Sequence, residues 1–244
     1  TTAPVIQFIK YDEHGQKVEK SARARGMEPG AFTDQVSGNF RDLAAAWNFS
    51  NDDFIRTTEE RHKRACQAIW TELKNRDQIY LGSYAGWYSV RDEAFYTESE
   101  LETRSDGTRI ATSSGAEVEW VEEPSYFFRL SAWQEPLLEW YRSNPDCIGP
   151  DARRNEVMRF VEGGLHDLSV SRTSFSWGVP VPDDPDHIIY VWLDALTNYL
   201  TAVGYPDTGH AEYRQFWPAD VHMVGKDIVR FHAVYWPAFL MAAG

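Results

Sequence analysis

Ile188-Ile189-Tyr190-Val191-Trp192-Leu193-Asp194-Ala195-Leu196-Thr197-Asn198-Tyr199-Leu200 passes from an apolar run into a helical pattern across one acidic residue. Ile188 to Leu193 predicts a buried strand. Ala195 to Val203 predicts a helix, and Gly204 falls where a left-handed residue ends one. Two other segments repeat the plan. Val5 to Ile9 leads through Asp12-Glu13-His14-Gly15 into a helix over Gln16 to Arg25, stopped by Gly26. Val221 to Val224 leads through Gly225-Lys226-Asp227 into a helix from Ile228. Short β-branched runs that each feed a helix predict parallel strands with crossovers, hence an open α/β sheet.

Something different lies between the first and second units. Phe32, Val36, Phe40, Leu43 and Trp47 form a helical stripe opened by Pro29. Thr57 followed by Glu60 predicts a capping box for a helix reaching about Arg76. From Ile79 to Val121 the chain is rich in Tyr, Gly and Ser, and Asp106-Gly107 is a hairpin signal. Val118 and Trp120 alternate with Glu117 and Glu119, as in a half-exposed strand. Two helices follow, about Ala132 to Arg142 and Ala152 to Glu162, the second capped by Asp151 and stopped by Gly163-Gly164. The predicted division is a first α/β half over 1–77, a β-rich then helical insertion over 78–166, and a second α/β half over 167–244.

Composition narrows the function. The formal charge of -13 speaks against non-specific nucleic-acid binding, which needs dense positive charge. No apolar run approaches the roughly 20 residues needed to span a bilayer. Cys66 and Cys147 stand apart, which predicts a reducing compartment and the cytoplasm rather than a stapled secreted fold. Neither GxGxxG nor GxxxxGK[ST] occurs, and HExxH, paired Cys and GxSxG are missing as well. Arg153, Arg154 and Arg159 read as a solvated helix face.

In open α/β sheets, ligands bind beyond the carboxyl ends of the strands, where helix N-termini favour anionic groups. The rule nominates Asp12 to Gly15, Asp194, and Gly225 to Asp227. Each Asp has a plainer reading as a helix N-cap. Three in matched positions, with His14 and Lys226 adjacent, favour a ligand site. His232, one turn beyond Ile228, together with Trp192 and Tyr199 would line an apolar pocket with one polar handle.

Tyr11-Asp12-Glu13-His14-Gly15, Gly86-Trp87-Tyr88-Ser89, Glu123 to Leu130, Leu168 to Arg172, Tyr190 to Ala195 and Gly225 to His232 together resemble the methionyl-tRNA synthetase family, in its bacterial form. The resemblance runs from Tyr11 to Gly244. It implies a class I aminoacyl-tRNA synthetase catalytic domain, Rossmann-like and interrupted by a connective peptide. It implies a methionine–tRNA ligase that uses ATP with Mg2+, makes methionyl-adenylate and charges tRNA(Met). By resemblance, Asp12 holds the methionine ammonium, and Arg172 supports the amino-acid and phosphate side, as the two catalytic residues. Trp192, Ala195, Tyr199, Ile228 and His232 line the thioether pocket, with Leu196 at its edge and Trp236 as its floor. His14, Gly225, Lys226 and Asp227 face ATP.

The chain also departs from the family pattern. The HIGH and KMSKS motifs are missing, so it is expected to be a central fragment and inactive alone. Thr1-Thr2-Ala3 resembles the start of one family strand, and Gln7 to Lys10 replaces the end of the next. Ser89 and Asp92 stand where many members carry zinc-binding Cys pairs, so no metal is expected. Two other readings stay open: a methionine-binding scaffold without catalysis, and a related class I synthetase for another apolar amino acid.

Overall fold

The computed structural model describes residues 6–92 and 94–244. Thr1-Thr2-Ala3 and the first residue of the predicted Val5–Ile9 strand lie outside the described residues. The chain opens with β1 (Phe8–Tyr11), α1 (Gln16–Ala24), α2 (Pro29–Ala46), β2 (Asp53–Arg56) and α3 (Glu60–Asn75). β1 and β2 pair in parallel from Phe8↔Asp53 to Tyr11↔Arg56, the expected α/β arrangement. Gly26 takes φ +66° and ends the α1 segment, since the left-handed region carries no Cβ penalty for glycine. The capping box does not form. Thr57 instead accepts the Glu13 N–H at 2.9 Å, while Glu59 takes the N-cap position of α3 without a side-chain bond.

The middle of the chain holds β3 (Ile79–Ser89), β4 (Ala94–Tyr96), β5 (Leu101–Thr103), β6 (Arg109–Ala111), β7 (Glu119–Phe128), α4 (Gln134–Ser143) and α5 (Asp151–Glu162). β3 and β7 run antiparallel from Ile79↔Phe128 to Tyr88↔Glu119. The predicted Asp106-Gly107 hairpin joins β5 to β6, with Gly107 at φ +88°. Trp120 overturns the expected alternation, because it is 55% exposed and lies edge-on to Trp87. Glu123 and Ser125 occupy the inward face of β7 instead. Glu123 turns in because it bonds the Thr173 and Ser174 N–H groups, at 3.2 and 3.0 Å.

The last third holds β8 (Leu168–Ser169), β9 (Ser171–Arg172), β10 (Pro180–Val181), β11 (Asp184–Ile189), α6 (Val191–Ala202), α7 (Ala211–Phe216) and α8 (Trp236–Ala243). β8 joins the edge of β7, and β11 lies antiparallel between β10 and β9. The deciding stretch therefore breaks earlier than its hydrophobicity suggests. Tyr190 is already the N-cap of α6, so Val191 to Leu193 are helical and Asp194 sits inside the first turn. Val221 to Val224 form no strand. Val221 is 70% and Met223 92% exposed, so no sheet neighbour is there to accept them.

α3, α4, α6 and α8 close around one core that includes Trp70, Phe128, Tyr141, Leu193, Leu196 and Phe239. Each such side chain contributes about 1.5–3 kcal/mol of burial free energy. α6 is thus locked on its apolar face and carries its polar residues inward elsewhere. Gly204, at φ +96°, ends the α6 segment, and an added Cβ would meet the His210 ring at 2.8 Å. No helix among the described residues is long and apolar enough to cross a membrane.

Candidate functional site

Asp194, Thr197, Asn198 and Thr201 recur at helical spacing on α6 and are all buried. A polar stripe inside a core needs partners, because each unsatisfied buried group costs about 1–3 kcal/mol. Asp194 finds two. His14 donates from Nδ1 to its Oδ2, and His62 from Nε2 to its Oδ1, each at 2.7 Å. His62 Nδ1 lies 2.9 Å from the Thr201 hydroxyl, which in turn donates to the Thr197 carbonyl. Burial alone would raise the Asp194 pKa. The charges and hydrogen bonds of His14 and His62 outweigh it and hold the carboxyl well below the usual range.

Cys66 completes this cluster, 3.2 Å from His62 Nε2 and 3.6 Å from Asp194 Oδ1. Burial, reinforced by the Asp194 charge, pushes its thiol up. The donor set of His62, Cys66 and Asp194 is of a kind that holds metals, with its atoms within 4.8 Å of one another. Their spacing is that of direct hydrogen bonding, so a proton already bridges His62 and Asp194.

The turn before α1 is fixed from three sides. Glu13 is buried and takes the Arg56 guanidinium at 2.8 Å and the Thr58 hydroxyl. Trp177 donates its indole N–H to the Glu13 carbonyl at 2.6 Å and accepts the Gly15 N–H at 3.1 Å. His14 is anchored on Asp194. Asp12, by contrast, remains exposed at the end of β1, where Asn198 Nδ2 reaches its Oδ1 at 3.4 Å.

Tyr199 is the hub of the predicted apolar pocket. Its hydroxyl lies 2.7 Å from His232 Nε2, and its ring faces His222 at 4.4 Å and Trp236 at 6.1 Å between centroids. His232 Nδ1 sits 2.9 Å from the Ile228 carbonyl, which can only accept. The neutral ring therefore carries its proton on Nδ1, and the Tyr199 hydroxyl donates to Nε2. Burial lowers the pKa of both His232 and His222, and burial raises Tyr199 to about 12 with help from the Asp12 charge. Trp192 stacks on Phe231 with centroids 3.3 Å apart.

The structure brings Asp12, Ala195, Tyr199, Ile228, His232 and Trp236 around one region, with Trp192 at the opening of the same helix. Leu196 is 1% exposed and belongs to the core below. Arg172 is also buried, beside Glu123 at 3.5 Å and under the Tyr190 ring at 3.7 Å, with Phe95 at 4.9 Å. His14 faces Asp194 rather than the Gly225–Asp227 turn. That turn is exposed, pairs Lys226 with Asp227 at 2.5 Å, and has nothing within 4 Å of a Cβ added at Gly225.

Sequence reading missed His62, Asn198, His222 and Trp177. The polar stripe on α6 was a readable signal for Asn198. Nothing local marks the others. A cavity of about 610 Å³ lies at the far end of α6, lined by Asp52, Arg61, Arg64, Thr201, Tyr205 and His210. It is polar and contains none of the pocket residues.

The chain has counterparts among known proteins. The methionine–tRNA ligase of Rickettsia bellii is 62% identical over 232 residues, which are 95% of this chain and 44% of that protein. That of Rhizobium meliloti is 58% identical over 233 residues, 96% of this chain and 45% of its own length. The crystal structure of Mycobacterium tuberculosis methionyl-tRNA synthetase bound by methionyl-adenylate superposes with a TM-score of 0.95 at 54% identity, covering 99% of this chain and 48% of that one. The chain thus spans about half the length of the relatives it matches. The family described as tRNA synthetases class I (M) matches residues 4–244. With its parallel β1–β2 pair, its interrupted α/β order and this family match over nearly its whole length, the chain belongs to the class I tRNA synthetases of the methionyl type.

Proposed function

We propose that this chain supplies the amino-acid pocket of a methionine–tRNA ligase, which joins methionine to ATP as methionyl-adenylate and passes the methionyl group to tRNA(Met). The observation that carries this reading is the Asp12 carboxylate, whose charge acts on Tyr199, beside the Tyr199–His232–Trp236 cluster. An amino acid with a long apolar side chain needs an anion for its ammonium and a polarizable aromatic wall for its tail. Asp12 is the group for the first task. Trp192, Ala195, Tyr199, Ile228, His232 and Trp236 serve the second, with Leu196 backing them from the core.

ATP, with Mg2+, is assigned to the open turn at Gly225, Lys226 and Asp227, where backbone can approach a ligand closely. Arg172 is assigned a catalytic role on the amino-acid and phosphate side. Its support is the shared packing of Tyr190, which covers it, with Trp192. The division into 1–77, 78–166 and 167–244, a cytoplasmic location and a metal-free insertion belong to the same reading. The test is methionine-dependent exchange of pyrophosphate into ATP by the complete protein. Exchange that requires methionine, and that falls with Asp12→Asn, supports the reading. Exchange with another apolar amino acid in preference to methionine refutes it.

A further inference from the structure

The helix that carries His232 is not regular. Phe231–Tyr235 form a π-helical turn, in which the Trp236 N–H reaches back five residues to the Phe231 carbonyl. The sequence supplies the cause. A regular helix would offer the Ala233 carbonyl the N–H of residue 237, but Pro237 has none, and its ring crowds that carbonyl. Ala233 and Val234 are buried, so water is no ready substitute. The replacement donor comes from the insertion. Tyr141 on α4 donates its hydroxyl to the Ala233 carbonyl at 2.6 Å, across 92 residues of chain. Tyr141 is itself buried, and that burial pushes its phenol up, so it keeps the proton it donates. Arg230, at the start of the turn, lies over the Phe160 ring of α5 at 3.9 Å, a second hold from the same insertion.

We propose that Tyr141 is a positioning residue of the amino-acid pocket, its hydroxyl replacing the backbone donor that Pro237 withholds and so fixing the turn that aims His232. The inference rests on the methionine-pocket reading above. His232 immediately precedes Ala233, and its ring is held between the Ile228 carbonyl at 2.9 Å and the Tyr199 hydroxyl at 2.7 Å. Ile228 comes before the π turn and Trp236 after it, so the turn sets the angle between two walls of the pocket. Slipping back to α-helical register would rotate Trp236 by about 100° relative to Ile228. Tyr141 packs in the main core, so its effect on a bound amino acid passes through His232 and Trp236.

The experiment combines pyrophosphate exchange with thermal unfolding, on the complete protein and its Tyr141→Phe, Pro237→Ala and double variants. Tyr141→Phe removes the hydroxyl and keeps the ring. It is expected to raise the KM for methionine about threefold to tenfold, the range of one lost hydrogen bond, with kcat and the KM for ATP within about twofold of the parent. A merely structural loss would lower the folded fraction, hence kcat, and leave KM alone. Tyr141→Phe should also lower the Tm by about 3–8 °C, and by less than half as much in the Pro237→Ala background, where residue 237 donates its own N–H. A methionine KM within about twofold of the parent, whatever happens to kcat, overturns the inference, because the hydroxyl then serves the core alone. An equal Tm loss in both backgrounds also overturns it, because the hydroxyl is then not standing in for a backbone donor. Exchange in the parent that does not depend on methionine is a different failure. It fells the pocket reading and takes this role with it.

Discussion

His62 and Asp194 meet at 2.7 Å across the α3–α6 interface, with neither side chain more than 2% exposed. Because His14 takes the other carboxylate oxygen, one residue ties α3, α6 and the turn that carries Asp12. Asp194→Asn leaves one imidazole N–H facing an amide N–H, and breaking a buried pair of this kind costs about 3–5 kcal/mol. Denaturant unfolding of the variant is expected to show a loss of that order. A loss below about 1 kcal/mol, the scale of an exposed pair, would contradict the bridging role.

The same carboxyl predicts an acid limb. Its folded pKa lies below the unfolded value of roughly 3.9, so the unfolded state binds the proton first. Its stabilisation is complete above that value and drains away as pH falls through the folded one. Stability measured against pH should therefore drop more steeply below about pH 4 in the parent than in Asp194→Asn.

Asp12→Asn and Trp192→Ala separate the two ends of the pocket. Losing the charged partner of an ammonium is expected to cost about 1.5–3 kcal/mol in kcat/KM for methionine. Trp192→Ala removes the stack on Phe231 and should cost about 1–3 kcal/mol, with poorer discrimination against shorter apolar amino acids. If both variants stay within about twofold of the parent while folded, the residues are no more than loop and wall.

His232 has its pKa lowered chiefly by burial, and Lys10 adds to the effect. The folded ring stays neutral while the unfolded one takes a proton near pH 6.5, so stability falls as pH drops from there to the folded value. Methionine affinity should weaken only below that window, as pH falls through the folded value, because a protonated Nε2 can no longer accept from Tyr199. His222 faces Tyr199 and is shifted the same way. The profile should therefore be compared in His222→Asn, His232→Asn and the double variant. An acid-side loss of affinity that persists in the double variant would assign it elsewhere.

The β3–β4 turn is expected to hold no structural zinc. Ser89 Oγ accepts the Asp92 N–H at 3.3 Å, and Asp92 takes the Tyr96 hydroxyl at 2.7 Å and that of Ser114. Burial would raise the Asp92 pKa, but these bonds and Arg91 keep it low, so the carboxylate is already satisfied. Elemental analysis of chelator-washed protein should find less than one zinc per chain. Unfolding on chelation would show a structural metal instead.

Much of the frame was legible because it depends on local chemistry. Pro29 opened α2, Gly26 and Gly204 ended their segments, and Asp106-Gly107 turned its hairpin, each through the φ that the residue allows. The motifs around Asp12, Trp192 and His232 likewise pointed to one family. Other features were not legible. Val191 to Leu193 are as apolar as a strand, yet they are helical: Leu193 packs into the main core, while Val191 and Trp192 pack against the cluster of Tyr88, Phe175, Ile188 and Tyr190.

The sequence by itself determined the first strand–helix unit, several helix stops, the family, and which residue types could serve an amino acid. Tertiary structure alone decided their assignments. It turned Asp194 from a cap into a buried bridge between His14 and His62, and it brought Asn198 to Asp12 across 186 residues of chain. The reason is physical. Caps and turns answer to a few neighbouring dihedrals, whereas a buried charge answers to whichever donors the completed core brings within hydrogen-bond reach.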